Sequence, residues 1–134
     1  MSNPYIGEIR MFGGNFAPVA WSLANGELIP ISQNTALFSL LGTFYGGNGT
    51  SNFALPDLQS RIPMHMGNGS GLSSRIIGQQ GGVESVALQA TPLPSSPASP
   101  VIASVGFGRQ FQTISPFLVL NFIIALQGIF PARS

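Results

Sequence analysis

Lysine and cysteine are absent from the 134 residues, histidine occurs once, and only nine side chains, five Arg and four Asp or Glu, carry a formal charge. Each gap removes a class of chemistry. Without lysine there is no Schiff-base amine and no P-loop lysine, and without cysteine there is no thiolate nucleophile, thiolate metal site or disulfide. His65 alone allows a zinc site within one subunit at most one imidazole ligand. Glu8, Glu27, Asp57 and Glu84 are scattered and form no short carboxylate pair, and no Gly-x-Ser-x-Gly elbow occurs. Ser70, within Gly69-Ser70-Gly71, is loop composition, and the glycine runs lack the GxGxxG spacing of a phosphate cradle. No enzyme, cofactor or metal is expected.

Charge is scarce as well as restricted in kind. Charged residues make up 7% and hydrophobic ones 44% of the chain, where an ordinary soluble domain has about 25% charged residues. A lone subunit would have little to keep it soluble. Net charge is +1, and Arg10, Arg61, Arg75, Arg109 and Arg133 are spread out, so no field invites nucleic acid or an anionic membrane. Long apolar runs are missing too: the longest, 117–126, is broken by Asn121, whereas a spanning helix needs about 20 apolar residues. No membrane insertion is expected, and the run suits a strand buried on both faces. Residues 1–5 show neither a basic region nor an apolar one, so export by a classical signal peptide is not expected.

What the chain does contain is punctuation, with 17 Gly and 11 Pro. Residues 5–12 predict a first strand, with Glu8 and Arg10 on one face and Ile9 and Met11 on the other. Asn25-Gly26 between 21–24 and 27–29 predicts a type I′ hairpin stopped by Pro30. Ser32 can cap a helix carrying Ala36, Leu37, Leu40 and Leu41, with Gly42 as a left-handed exit. Residues 45–82 read as turns and irregular loops joining short strands, and 83–88 as a strand. Four prolines between 92 and 100 predict an extended, polyproline-like arm. Residues 101–105 and 109–114 suggest a hairpin around Gly106-Phe107-Gly108, followed by the C-terminal strand. Asp57 and Arg61 suggest a structural ion pair in the loop between Pro56 and Pro63; His65 suggests a packed or interface residue, and Trp21 a core residue.

Several irregular pieces occur in a telling order. Ile6-Gly7-Glu8-Ile9-Arg10, the 17–26 stretch around Trp21, the 32–47 stretch from Ser32 to Gly47, Asn52-Phe53-Ala54-Leu55-Pro56-Asp57-Leu58-Gln59-Ser60-Arg61-Ile62-Pro63 and finally residues 117–131 together resemble the phage tail collar domain. The resemblance implies a mainly β, loop-rich fold with one short α-helix and a buried C-terminal strand. It also implies an extracellular or virion structural role, without catalysis. Relatives often carry a His-x-His pair after a Leu-Pro, able to surround an axial metal in trimers; the corresponding positions here are Ser96 and Ala98, so that metal site should be missing.

One tail-collar-like domain over 1–134 is expected, made of a core at 1–89, an arm at 90–100 and a hairpin with closing strand at 101–134. The expected role is that of a homo-oligomeric subunit, either a trimer or a protomer of a filament on a cell-surface appendage or virion tail, with related collar-domain paralogues as further partners. Its interface is expected to include Pro92, Pro94, Pro97, Pro100, Phe117, Leu118, Phe122, Ile124 and Phe130. The alternative is a small adhesin or lectin-like module contacting a surface glycan or receptor through Trp21, Tyr45 and Asn48.

Overall fold

The computed structural model describes residues 3–87 and 110–133. Among them the order is β1 (Ile9–Phe12), β2 (Trp21–Leu23), β3 (Leu28–Pro30), a 3-10 turn (Ile31–Gln33), α1 (Thr35–Leu41), β4 (Asn52–Ala54), β5 (Ser85–Ala87), β6 (Gln110–Gln112) and β7 (Asn121–Ala125). The protein is mainly β, in small antiparallel sheets with a single short helix, as expected. It groups into two compact units, Met1–Gln79 with Val119–Ser134, and Gln80–Leu118. The proline arm, the expected strand 101–105 and both inner boundaries of the expected division lie outside the described residues.

In the first unit, β7 is the middle strand of a three-stranded sheet ordered β1-β7-β2. It pairs antiparallel with β1, Ile9 opposite Ile124 and Met11 opposite Phe122, and with β2, Trp21 opposite Ala125 and Leu23 opposite Ile123. A central strand in a closely packed unit is apolar on both faces, and Ile123, Ile124 and Ala125 are all buried. Residues 117–120, the front of the predicted strand, are instead exposed and unpaired. β1 is shorter than its prediction because Gly7, at φ +85°, turns the chain after an isolated bridge between Tyr5 and Ile129. Backbone bonds from Ile6 N–H to the Ile129 carbonyl (2.9 Å) and from Ile129 N–H to that of Pro4 (2.9 Å) tie the two ends of the unit together.

The hairpin predicted at Asn25-Gly26 does not form. β2 pairs with β7, while β3 pairs with β4, Ile29 opposite Phe53. A type I′ turn needs positive φ at both central residues, and only Gly26 (φ +80°) has it. Asn25 Oδ1 instead accepts the Glu27 N–H at 3.2 Å, and Gly26 N–H donates to the Pro56 carbonyl at 3.2 Å. The dipeptide thus passes the chain from one sheet to the next. Ser32 is likewise not the helix cap: it lies in the 3-10 turn, and Asn34 stands at the cap position, its Nδ2 donating to the Pro30 carbonyl at 3.0 Å. Gly42 does end α1 with positive φ (+51°), its N–H donating to the Phe38 carbonyl at 2.7 Å.

The core draws on β3, α1, β4 and β7: Ile29 of β3, Leu37 of α1, Phe53 of β4, Leu55 just after it and Ile124 of β7, with Ile6, Ile31, Phe38, Leu41 and Leu126 packed around them. Phe38 and Phe53 meet with ring centroids 5.3 Å apart. Burying each of these side chains contributes about 1.5–3 kcal/mol.

The second unit is different in kind. β5 and β6 form a two-stranded ribbon, Val86 opposite Phe111, closed by the Thr113 N–H bond to the Glu84 carbonyl (2.9 Å) and by Thr113 Oγ1 donating to the Val83 carbonyl (2.6 Å). None of its described residues is buried.

Gly47 supplies a test of the first unit's packing. At φ +92°, a Cβ there would sit 2.4 Å from Phe53 Cα, whereas a Cβ on Gly42 would meet nothing within 4 Å. Gly47→Ala should therefore cost roughly 3 kcal/mol or more, through backbone strain plus overlap with β4, and Gly42→Ala less, about 1–3 kcal/mol from backbone strain alone. Urea unfolding midpoints read the difference directly.

Candidate functional site

The few charged side chains are scattered along the chain, and large apolar side chains stand exposed, so the candidate site is a surface. Of the expected interface, Pro92, Pro94, Pro97 and Pro100 lie outside the described residues. Phe117 and Leu118 are 71% and 84% exposed in the second unit, and Phe130 is 52% exposed in the first. Phe122 is half-buried. Ile124 is fully buried in the core and offers no surface; the central position of β7 turns its side chain inward.

A larger apolar exposure escaped the sequence reading. Every residue from 59 to 74 is exposed, and the stretch carries Ile62 (86%), Met64, Met66 and Leu72. The alternation Ile62-x-Met64-x-Met66 was the signal for it, since period-2 apolarity marks a segment with one face to cover. Gly67 and Arg75 close the end of this stretch into a loop, with N–H to carbonyl bonds of 2.8 and 2.9 Å in both directions. His65 is exposed, with Nδ1 2.6 Å from the Met66 carbonyl oxygen. Among the described residues, no group of three His, Cys, Asp or Glu is placed to hold a metal ion. Asp57 and Arg61 both engage Gln59: Asp57 Oδ1 accepts its N–H at 3.0 Å, and Arg61 Nη1 donates to its carbonyl at 3.1 Å.

The three alternative glycan-contact residues have structural duties. Trp21 is half-buried, and the Arg10 guanidinium lies 5.3 Å from its ring centroid, a cation–π contact. Arg10 is held in turn by an ion pair from Nε to Glu8 Oε2. Successive side chains of a strand alternate, so Glu8, Arg10 and Trp21 share the face that also carries Ile123 and Ala125. Asn48 is committed to its own loop. Its Oδ1 accepts the N–H groups of Thr50, Ser51 and Asn52 at 2.8, 2.9 and 3.1 Å, and its Nδ2 donates to Ser51 Oγ at 3.1 Å. Tyr45 is half-buried, and burial raises its phenol above the ordinary value of 10.0.

Two measurements follow from these placements. Asn48→Ala should lower stability by about 1–2 kcal/mol, as loss of a cap-like acceptor does, and Asn48→Asp by less, because the acceptor survives. Burial favours the neutral phenol of Tyr45, so its contribution is fully present below pH 10.0 and is lost as pH rises through the higher folded value. With no Lys or Cys in the chain, a urea midpoint followed upward from neutral pH should fall there and fall less in Tyr45→Phe.

Residues 7–63 match the family model of the phage tail collar domain. The match takes in β1, β2, β3, the 3-10 turn, α1 and β4, and ends within the exposed stretch at Pro63. No curated protein matches the chain.

Proposed function

We infer that this chain, which carries a phage tail collar domain over residues 7–63, is a structural subunit of a tail fibre or fibre-like appendage that covers its exposed apolar segments by joining copies of itself. A structural role in a phage tail fibre, and with it a place on the virion tail, is what the collar domain implies. Homo-oligomerisation rests above all on the β5/β6 ribbon. Two strands alone are marginal in water, and here Val86 and Phe111, opposite one another, are each 45% exposed. A neighbouring subunit is the simplest cover, and a net charge of +1 opposes self-association very little. Obligate interfaces of this kind commonly bury more than about 2,000 Å².

Phe117 and Leu118 of the second unit and, separately, the exposed apolar side chains at 62–72 of the first offer further surface to a partner. A closed rotation would make a trimer, and a contact that does not close would make a filament. Related collar-domain chains offer the same kind of surface and are the natural hetero-partners, outside the cell or on the virion. An adhesin role has less support, since Asn48 spends its amide within its own loop and Arg10 lies against the Trp21 ring.

Light scattering and negative-stain microscopy of the purified chain test the proposal. Assemblies are expected at micromolar concentration, and Phe111→Asp should shift them to smaller species while leaving the first unit folded. A stable monomer, unchanged by concentration, would overturn the assembly proposal.

A further inference from the structure

We propose that Asn68 is a self-modifying position, at which the folded chain converts asparagine to aspartate and isoaspartate well before its other Asn-Gly pairs react. Asn-Gly occurs three times, at 25–26, 48–49 and 68–69. In each, the backbone nitrogen of glycine can attack the preceding side-chain carbonyl carbon, with no Cβ to hinder it. A bond forms between Gly N and Asn Cγ, the Cγ–Nδ2 bond breaks, and the nitrogen leaves as ammonia, taking up the proton lost from the Gly N–H. Water then adds to either carbonyl of the resulting succinimide, giving aspartate or its β-linked isomer. No oxidant or reductant is needed.

The fold treats the three pairs unequally. Gly26 N–H is held by the Pro56 carbonyl at 3.2 Å, and Asn25 Oδ1 holds the Glu27 N–H at 3.2 Å. Gly49 N–H is held by the Asn52 carbonyl at 3.0 Å. The three N–H groups on Asn48 Oδ1 would polarise that carbonyl and so favour attack, but the nucleophile is tied to Asn52, and swinging the side chain toward it would break all three bonds. Asn68 and the Gly69 N–H have no hydrogen-bond partner among the described residues, and both residues are exposed. The loop around them is closed by the Gly67–Arg75 pairing, yet holds only the Gly69 carbonyl, through the Leu72 N–H at 2.9 Å.

The arginine spacing makes the test simple. Trypsin places Asn68 in the peptide 62–75 and both other pairs in 11–61. After incubation of the intact folded chain at mildly alkaline pH, the 62–75 peptide should show the amide-to-acid mass gain and a chromatographically split isoaspartate form. Its rate should exceed that of 11–61 by roughly tenfold or more, because each of the other sites must first open a backbone and a side-chain bond. In denaturing urea that advantage should shrink severalfold, and Asn68→Gln should abolish the signal in 62–75. Equal rates in the folded chain, or earlier reaction in 11–61, would overturn the proposal. Because a partner seated on the 62–72 side chains would shield Asn68, the ranking is read on Phe111→Asp as well as on the unaltered chain.

Discussion

The first unit depends on one strand pairing with two others. β1 and β2 do not touch as neighbours in the sheet; each bonds to a different edge of β7. Remove β7 and both lose their ladder at once, leaving two strands with open backbone groups. The same strand sends Ile124 into the core beside Leu37, Phe53 and Leu55. Backbone satisfaction and apolar burial, ordinarily supplied by different parts of a small domain, are therefore concentrated in five residues, Asn121–Ala125.

This dependence bears on the collar match, which ends at residue 63. The matched region holds β3, β4, α1 and most of the core, but its own first two strands are completed only by a segment nearly sixty residues further on. Bringing that segment back costs loop-closure entropy that rises only slowly with length, so the intervening chain is free to vary in size. Here part of that intervening chain forms the second unit, whose ribbon buries nothing of its own.

With so few charges, asparagine does much of the polar work. Asn25, Asn34, Asn48 and Asn52 each bond the backbone of their own loop, and Asn121, on β7, donates from Nδ2 to the Gly14 carbonyl at 2.7 Å across the sheet's end. These neutral bonds fix irregular turns without the desolvation cost of a buried ion. They also leave the outer surface electrically quiet, a condition that suits the self-association proposed above.

The sequence by itself determined the local events. Gly42 ends the helix because little else adopts a positive φ there easily, Pro30 ends β3, and the apolar run at 117–126 reads as a strand, although only Asn121–Ala125 forms one. These features depend on backbone sterics and on pattern over a few residues. Tertiary structure decided what such rules cannot see. Asn25-Gly26 carries the sequence signal of a hairpin, yet the partners of β2 and β3 are β7 and β4, because a strand pairs where its apolar face is best buried, and that depends on segments distant in sequence. Ser32 gave way to Asn34 for a related reason: β3 runs straight into a 3-10 turn, displacing the helix start by two positions. Ile124 and Phe117 look alike in the sequence, both large and apolar in one run. Only the central place of β7 makes one of them core and leaves the other 71% exposed.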